Sequence, residues 1–188
     1  MGVVISMLRG VNLAGHRKVQ MSELKTLYES LGLGSVQTYI NSGNVIFKTA
    51  SRDLARLGKK IEDAIESRYG FRSDVILRTA AGMREAIARN PFASRPGLEP
   101  SRLAVSFLAG DPSPEAVEKV LAIKAEPEEL RISGREVYIY FPNGMARPKL
   151  SMAQVERTLK TPGTSRNLNT VRKLLEMAEG LEATAGRC

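Results

Sequence analysis

The sequence predicts an α+β protein of two ferredoxin-like lobes, related by a degenerate duplication, with an added C-terminal helix. Three observations predict it. The hydrophobic period of the first eighty residues switches in the order β-α-β-β-α-β, the split βαβ arrangement. A proline-rich stretch, "PFASRPGLEPS", then interrupts the pattern. After it the series starts again: "YINSGNVIF" and "LRISGREVYIYF" each read strand, Ser-Gly turn, strand, at the same place in their series. The expected organisation is residues 1–80 as one lobe, 81–101 as a helix and connecting segment, and 102–188 as the second lobe with its C-terminal helix.

Taken in order, Val3 to Leu8 is an apolar run without alternation, which suits a central strand covered on both faces. Ser22 is placed to cap a helix whose Leu24, Leu27, Tyr28 and Leu31 recur at helical spacing, and Gly32 ends it. "VQTYI" and "NVIFK" form a hairpin across Asn41-Ser42-Gly43. Leu54, Leu57, Ile61, Ile65 and Tyr69 mark a second helix stopped at Gly70, and "SDVILRT" is the fourth strand. A short helix around Met83 and Ile87 breaks at Asn90-Pro91. In the second series, Leu103, Val105 and Phe107 alternate as a strand. Ser113 and Pro114 open a helix with Val117, Val120 and Leu121 facing inward. "ELRI" and "EVYIYF" pair across Ser133-Gly134-Arg135, and Ser151 caps a helix carrying Met152, Val155 and Leu159. A last helix is expected from about Thr170 to Glu179, stopping at Gly180.

The bulk composition narrows the class of function. At 188 residues, 43% hydrophobic and 26% charged, the chain is an ordinary globular sequence. Val3 to Leu8 is too short to span a bilayer and lacks signal-peptide anatomy, so no membrane partner is expected. The single cysteine, Cys188, has no partner for an internal disulfide, which points to a reducing compartment and a cytoplasmic location. The net charge of +8 calls for an acidic partner, and its distribution is uneven. Residues 1–22 hold Arg9, Arg17 and Lys18 with no Asp or Glu. Residues 143–173 hold Arg147, Lys149, Arg157, Lys160, Arg166, Arg172 and Lys173 against Glu156 alone.

Three polar stretches are candidates for a site. In "LRGVNLAGHRK", Arg9 leaves the end of a central strand, Gly10 and Gly15 allow close backbone approach, Asn12 offers donor and acceptor, and Lys18 adds charge. The stretch is neither a P-loop nor a dinucleotide fingerprint, and its competing explanation is a basic turn. The hairpin "NSGN" suits tight-turn chemistry, with Asn41 or Asn44 as additional donors. In "TPGTSRNLNTVRK", Arg166 precedes a helix start capped by Asn167 or Asn169, where free amides and a guanidinium can meet an anion. An N-cap with an ion-paired arginine is the plainer alternative.

No catalytic constellation stands out. His16 beside Arg17 and Lys18 reads as an exposed loop residue, Ser42 lacks an identifiable base, and no spacing suggests a metal site. RNA binding through stacked bases needs aromatics on the first and third strands of a lobe. "VVISMLRG" has none; the second lobe offers Tyr138, Tyr140 and Phe107, which fit packing as well as stacking.

Three separated stretches, "LRGVNLAGHRKVQM", "TYINSGNVIF" and "TSRNLNTVRKLLEMA", together resemble the uncharacterised bacterial family known as domain of unknown function 1697, over essentially the whole chain. The resemblance implies two ferredoxin-like lobes and no established activity. The chain departs from the family pattern at Ala14, often glycine, at Asn41, where glutamine is favoured, and at Leu168, where tryptophan is favoured. The expected function is binding of an anionic ligand, nucleotide-like or nucleic acid, without catalysis and without a cofactor, through Arg9, Asn12, Lys18, Asn41, Asn44, Arg166, Asn167 and Asn169. A small anion is favoured, with nucleic acid as the other partner class. The alternatives are an enzyme acting on a phosphorylated or carboxylated small molecule, and a protein-interaction scaffold. Oligomeric state is not legible. Arg9 and Arg166 are expected to open onto one cleft.

Overall fold

Strand β1 (Gly2–Leu8) is buried from Val3 onward, as its unbroken apolar run requires. It lies between β3 (Asn44–Thr49) and β4 (Val75–Thr79), with β2 (Gly34–Tyr39) outside β3. The pairings are antiparallel and the order is β2-β3-β1-β4. The computed structural model describes residues 1–13, 15–146 and 148–185; Ala14, Arg147 and Cys188, which enter the sequence reading above, lie outside the described residues.

Helices α1 (Met21–Ser30) and α2 (Leu54–Tyr69) cover one face of this sheet. Val4, Leu8, Val45, Phe47, Val75 and Leu77 pack there against Leu24, Tyr28, Leu57, Ile61 and Ile65 in one core cluster. Tyr28 buries its hydroxyl against Ser6 Oγ at 2.7 Å and sets its ring edge-on to Phe47 at 5.6 Å. Asp53 caps α2 through Arg56 N, and Gly70 closes it in the left-handed conformation at φ 73°. Helix α1 differs from expectation. It begins one residue before Ser22, its N-cap is Gln20, and no side chain caps it.

The second series repeats the plan with β5 (Leu103–Leu108), α4 (Pro114–Leu121), β6 (Glu129–Ser133), β7 (Glu136–Tyr140), α5 (Met152–Leu159) and β8 (Gly163–Asn167). Its sheet order, β6-β7-β5-β8, is that of the first. Ser113 and Ser151 cap α4 and α5 as expected. Leu121 does not face inward. It is exposed, and Ala116 takes the buried place beside Val120. Strand β8 is the element the sequence hid, because "GTSRN" carries no apolar alternation. It fits because Gly163 has no side chain: a Cβ there would stand 2.9 Å from Ser106 Oγ.

Matching the pairings of β1 and β5 aligns Leu8 with Leu108, Gly43 with Arg135, Val75 with Gly163 and Arg78 with Arg166. The two Ser-Gly dipeptides are therefore not equivalent. The first hairpin turns over Ile40 to Gly43, the second over Gly134 and Arg135, so the dipeptides sit one residue out of step.

Helices α3 (Ala80–Ala88) and α6 (Leu168–Ala185) follow the fourth strands. The chain divides into two compact units, one of Met1–Arg84 with the segment from Lys173 onward, the other of Glu85–Arg172. In the first unit, Lys48 Nζ donates to Thr184 Oγ1 at 3.3 Å, bringing the end of α6 to the sheet face opposite α1 and α2. That face is closed: Val3, Ile5, Met7, Ile46 and Ile76 are all buried. In the second, Tyr138 Oη donates to Ala86 O at 2.6 Å, and Arg95 stacks on the Tyr140 ring at 4.1 Å while pairing with Glu129. Helix α6 continues through Gly180, which has open space around it and no positive φ to end the helix. Among the described residues no helix is long and apolar enough to cross a membrane.

Candidate functional site

The loop from Arg9 to Gln20 is fastened at both ends by main-chain bonds. Leu8 N donates to Gly43 O at 2.9 Å and Arg9 N to Asp74 O at 3.0 Å. Val11 tucks into the core over the hairpin turn, so a Cβ on Gly43 would meet Leu8 Cβ and Val11 Cγ2 at 2.7 Å. Gly43 is thus required twice, by contact and by its φ of 73°.

Asn12 holds the loop to the hairpin. At φ 55° it adopts the left-handed conformation that asparagine tolerates. Its Nδ2 donates to Val19 O at 2.9 Å and to Asn41 O at 2.8 Å, and its Oδ1 accepts from Val19 N at 2.8 Å. Both of its donors and its acceptor serve the main chain, so it shapes the site rather than offering free polar atoms. Arg17, at φ 49°, lies 5.7 Å from the centre of the Phe71 ring. His16 is exposed and forms a narrow main-chain turn with Leu13.

Asn12, Lys18 and Asn41 line a single open pocket of about 590 Å³, together with Gly15, Val19, Gln20, Met21 and Ser22. Lys18 and Asn41 are exposed, and among the described residues Lys18 has no acidic partner. The pocket floor is the start of α1. The first amides of a helix have no intrahelical acceptor and carry the positive end of its dipole. Every other α-helix start receives a side-chain oxygen: Asp53, Thr79, Ser113, Ser151 and Asn167 accept from Arg56, Gly82, Ala116, Gln154 and Thr170. Glu23, in the first turn of α1, pairs with Arg68 at 3.8 Å. Sequence reasoning missed Gln20, Met21 and Ser22 as site residues because Ser22 was read as the cap. The signal was present in "KVQMSEL", where Gln20 occupies a place that Ser, Thr, Asp or Asn would normally take.

The remaining candidates are placed otherwise. Arg9 Nη1 lies 3.4 Å from Asp74 Oδ2, with both side chains more than a third exposed, so a carboxylate from the fourth strand's approach balances it. Asn44 is fully buried and donates to Tyr39 O and Ser42 Oγ, a turn-holding role. Arg166 lies in β8, not in a loop. It shares a sheet row with Val105 and Tyr138, and its Nη1 donates to Thr164 Oγ1 and Ser165 O at 2.8 Å each. Burial pulls its guanidinium down to about 10, because the charged form loses hydration. Asn167 is the α6 cap and Asn169 is exposed in the first helical turn. Arg9 belongs to the first unit and Arg166 to the second. Tyr138 is buried against α3 and Tyr140 under the segment that follows it, so neither offers a ring for base stacking. Among the described residues no cluster of three or more His, Cys, Asp or Glu is placed to hold a metal ion.

No curated protein matches the chain. Among solved structures it is similar to one titled "The structure of conserved bacterial protein SP0830 from Streptococcus pneumoniae", at 25% identity and a TM-score of 0.71, covering 94% of this chain and 98% of that one. The family model described as "Protein of unknown function (DUF1697)" matches residues 1–138, which is most of the chain. The two repeated sheets, the fastened Arg9 to Gln20 loop and the Asn41 hairpin are thus features of a chain that belongs to the DUF1697 family.

Proposed function

We propose that this protein is a cytoplasmic binding protein for a small anion, holding a phosphate or carboxylate group, without catalysis, in the pocket at the start of α1. The observation that carries the proposal is the meeting of three independently chosen residues, Asn12, Lys18 and Asn41, around one uncapped helix start. Lys18 supplies a full charge, Asn41 a side-chain amide, and the amides of Met21, Ser22 and Glu23 the directed donors that an oxyanion accepts. Asn12 keeps the loop and the hairpin at the spacing the pocket needs. A small anion is favoured over nucleic acid because the sheet faces on which bases would stack are filled in both units.

Calorimetric titration with inorganic phosphate tests the proposal. Binding is expected to weaken about tenfold on Lys18→Ala, the scale of one charge-assisted hydrogen bond. The melting temperature should stay unchanged, since Lys18 is exposed. Raising salt from about 50 to 200 mM should cost only a few-fold, against roughly 10³-fold when six or more nucleic-acid phosphates are engaged. Undiminished binding by the Lys18→Ala protein would move the anion elsewhere, and no phosphate binding at all would end the proposal.

A further inference from the structure

Strand β6 forms one edge of the second sheet, in the order β6-β7-β5-β8, and its five residues pair with β7 in unbroken register. Gly134 and Arg135 join the two strands, so Ser133 and Glu136 close the turn and exchange both main-chain bonds. Arg131 and Glu129 follow in the same phase, which turns the N–H and C=O groups of Leu130 and Ile132 away from β7. The outward carbonyl of Leu130 is met by a side chain of its own strand, Arg131 Nη1, at 2.8 Å. The matched edge of the first unit is broken: β2 carries a register shift between Gly34 and Gln37, with Ser35 at φ 51°. Beside the regular β6 edge, Leu121 is 51% exposed and lines, with Ile123 and Leu130, an open pocket of about 390 Å³.

We infer that this edge pairs with the same edge of a second copy of the chain, antiparallel about a two-fold axis through Leu130. The strand "ELRIS" is complementary to itself in that register. Glu129 falls opposite Arg131 of the second copy and Arg131 opposite its Glu129, on one sheet face, as a two-fold interface requires. Leu130 falls opposite its own counterpart, and the two exchange main-chain bonds. The carbonyl that Arg131 holds in the single chain then passes to an amide, and the released guanidinium meets a carboxylate. Glu129 Oε1 holds Arg95 at 2.6 Å, so Oε2 serves the second copy. Shifting either strand by two residues sets Arg131 against Arg131 or Glu129 against Glu129, so charge selects this register over its neighbours. The added strand lies against the pocket that Leu121 and Ile123 line, which draws exposed apolar surface out of water.

Sedimentation of the full chain at concentrations from about 5 to 500 µM tests this, a range set by the small area that one strand pairing buries. The expected result is a monomer at the low end and a dimer at the high end. Arg131→Glu and Glu129→Arg should each remain monomeric throughout, since each sets like charges opposite one another. Mixed in equal amounts, the two variants should dimerise with each other, which damage to the fold at either position would not produce. Arg131→Ala gives the sign without touching Glu129. Dimerisation should weaken about fivefold, the scale of two exposed ion pairs, with the melting temperature of the dilute monomer unchanged. If the guanidinium instead guards the edge against pairing, the same substitution tightens association. A monomer at every concentration, a dimer indifferent to Arg131→Glu, or tighter association of the Arg131→Ala protein overturns the inference. The pocket at the start of α1 belongs to the other unit, so none of these outcomes bears on the anion-binding proposal.

Discussion

The two units share a framework and differ in what they hang on it. Leu8 N to Gly43 O and Arg9 N to Asp74 O in the first correspond to Leu108 N to Arg135 O and Ala109 N to Pro162 O in the second. From these matched bonds the second unit reaches its helix quickly, through Ala109 to Ser113, and caps it with Ser113. The first unit runs from Arg9 to Gln20, folds Val11 inward, swings Lys18 outward and arrives at an uncapped helix. The pocket lies where the first copy departs from the second, and the departure consists of added loop. Secondary structure is what the two copies have in common; the candidate chemistry is what they do not.

The sharpest way to break the comparison is at the turn. Gly43→Ala places a Cβ within 2.7 Å of Leu8 and Val11 at a φ of 73°. It should cost about 3 kcal/mol in urea unfolding, from combined overpacking and backbone strain. Arg135→Ala, at the matched position, should cost less than about 0.5 kcal/mol, since its pairing with Asp111 is exposed. Similar costs at both sites would mean that the loop does not press on the first hairpin.

A smaller contrast lies beneath the sheets. Ser6 and Ser106 are matched by register, and both are buried. Ser6 meets the Tyr28 hydroxyl, whereas Ser106 Oγ has no hydrogen-bond partner. Helix α4 has apolar Val120 and Ala116 as its buried residues, with no tyrosine to offer. Tyr28→Phe strands Ser6 and should cost about 1–2 kcal/mol. Ser106→Ala removes a hydroxyl already stranded and should be neutral or stabilising by up to about 1 kcal/mol. A destabilising Ser106→Ala, read by the same unfolding curves, would show that this hydroxyl is satisfied in solution.

These contrasts also explain what the sequence disclosed. An unbroken apolar run made β1 legible, periodicity did so for α2 and the two hairpins, and cap chemistry at Ser113 and Ser151 fixed their helices. Strand β8 was hidden because an edge strand beside a crowded partner needs Gly163, and its remaining residues are those of a turn. Gly180 misled because a glycine ends a helix only when the backbone there turns left-handed, and here it does not. Within the site, exposed charge and loop glycines pointed to Asn12, Lys18 and Asn41. Arg166 does precede the Asn167-capped start of α6, but the strand it belongs to was not legible, and Asn44 shows that a buried turn asparagine and a ligand-facing one have the same sequence signature.

The central claim is that the uncapped start of α1 receives the anion, and amide chemical shifts during a phosphate titration test it most directly. The amides of Ser22 and Glu23 should move in a saturable way, with the Asn41 side-chain amide moving alongside them. Those of Glu115 and Ala116, at the Ser113-capped start of α4, should stay in place. Equal movement at both helix starts, or a stationary Ser22 and Glu23 under saturating phosphate, would contradict the account.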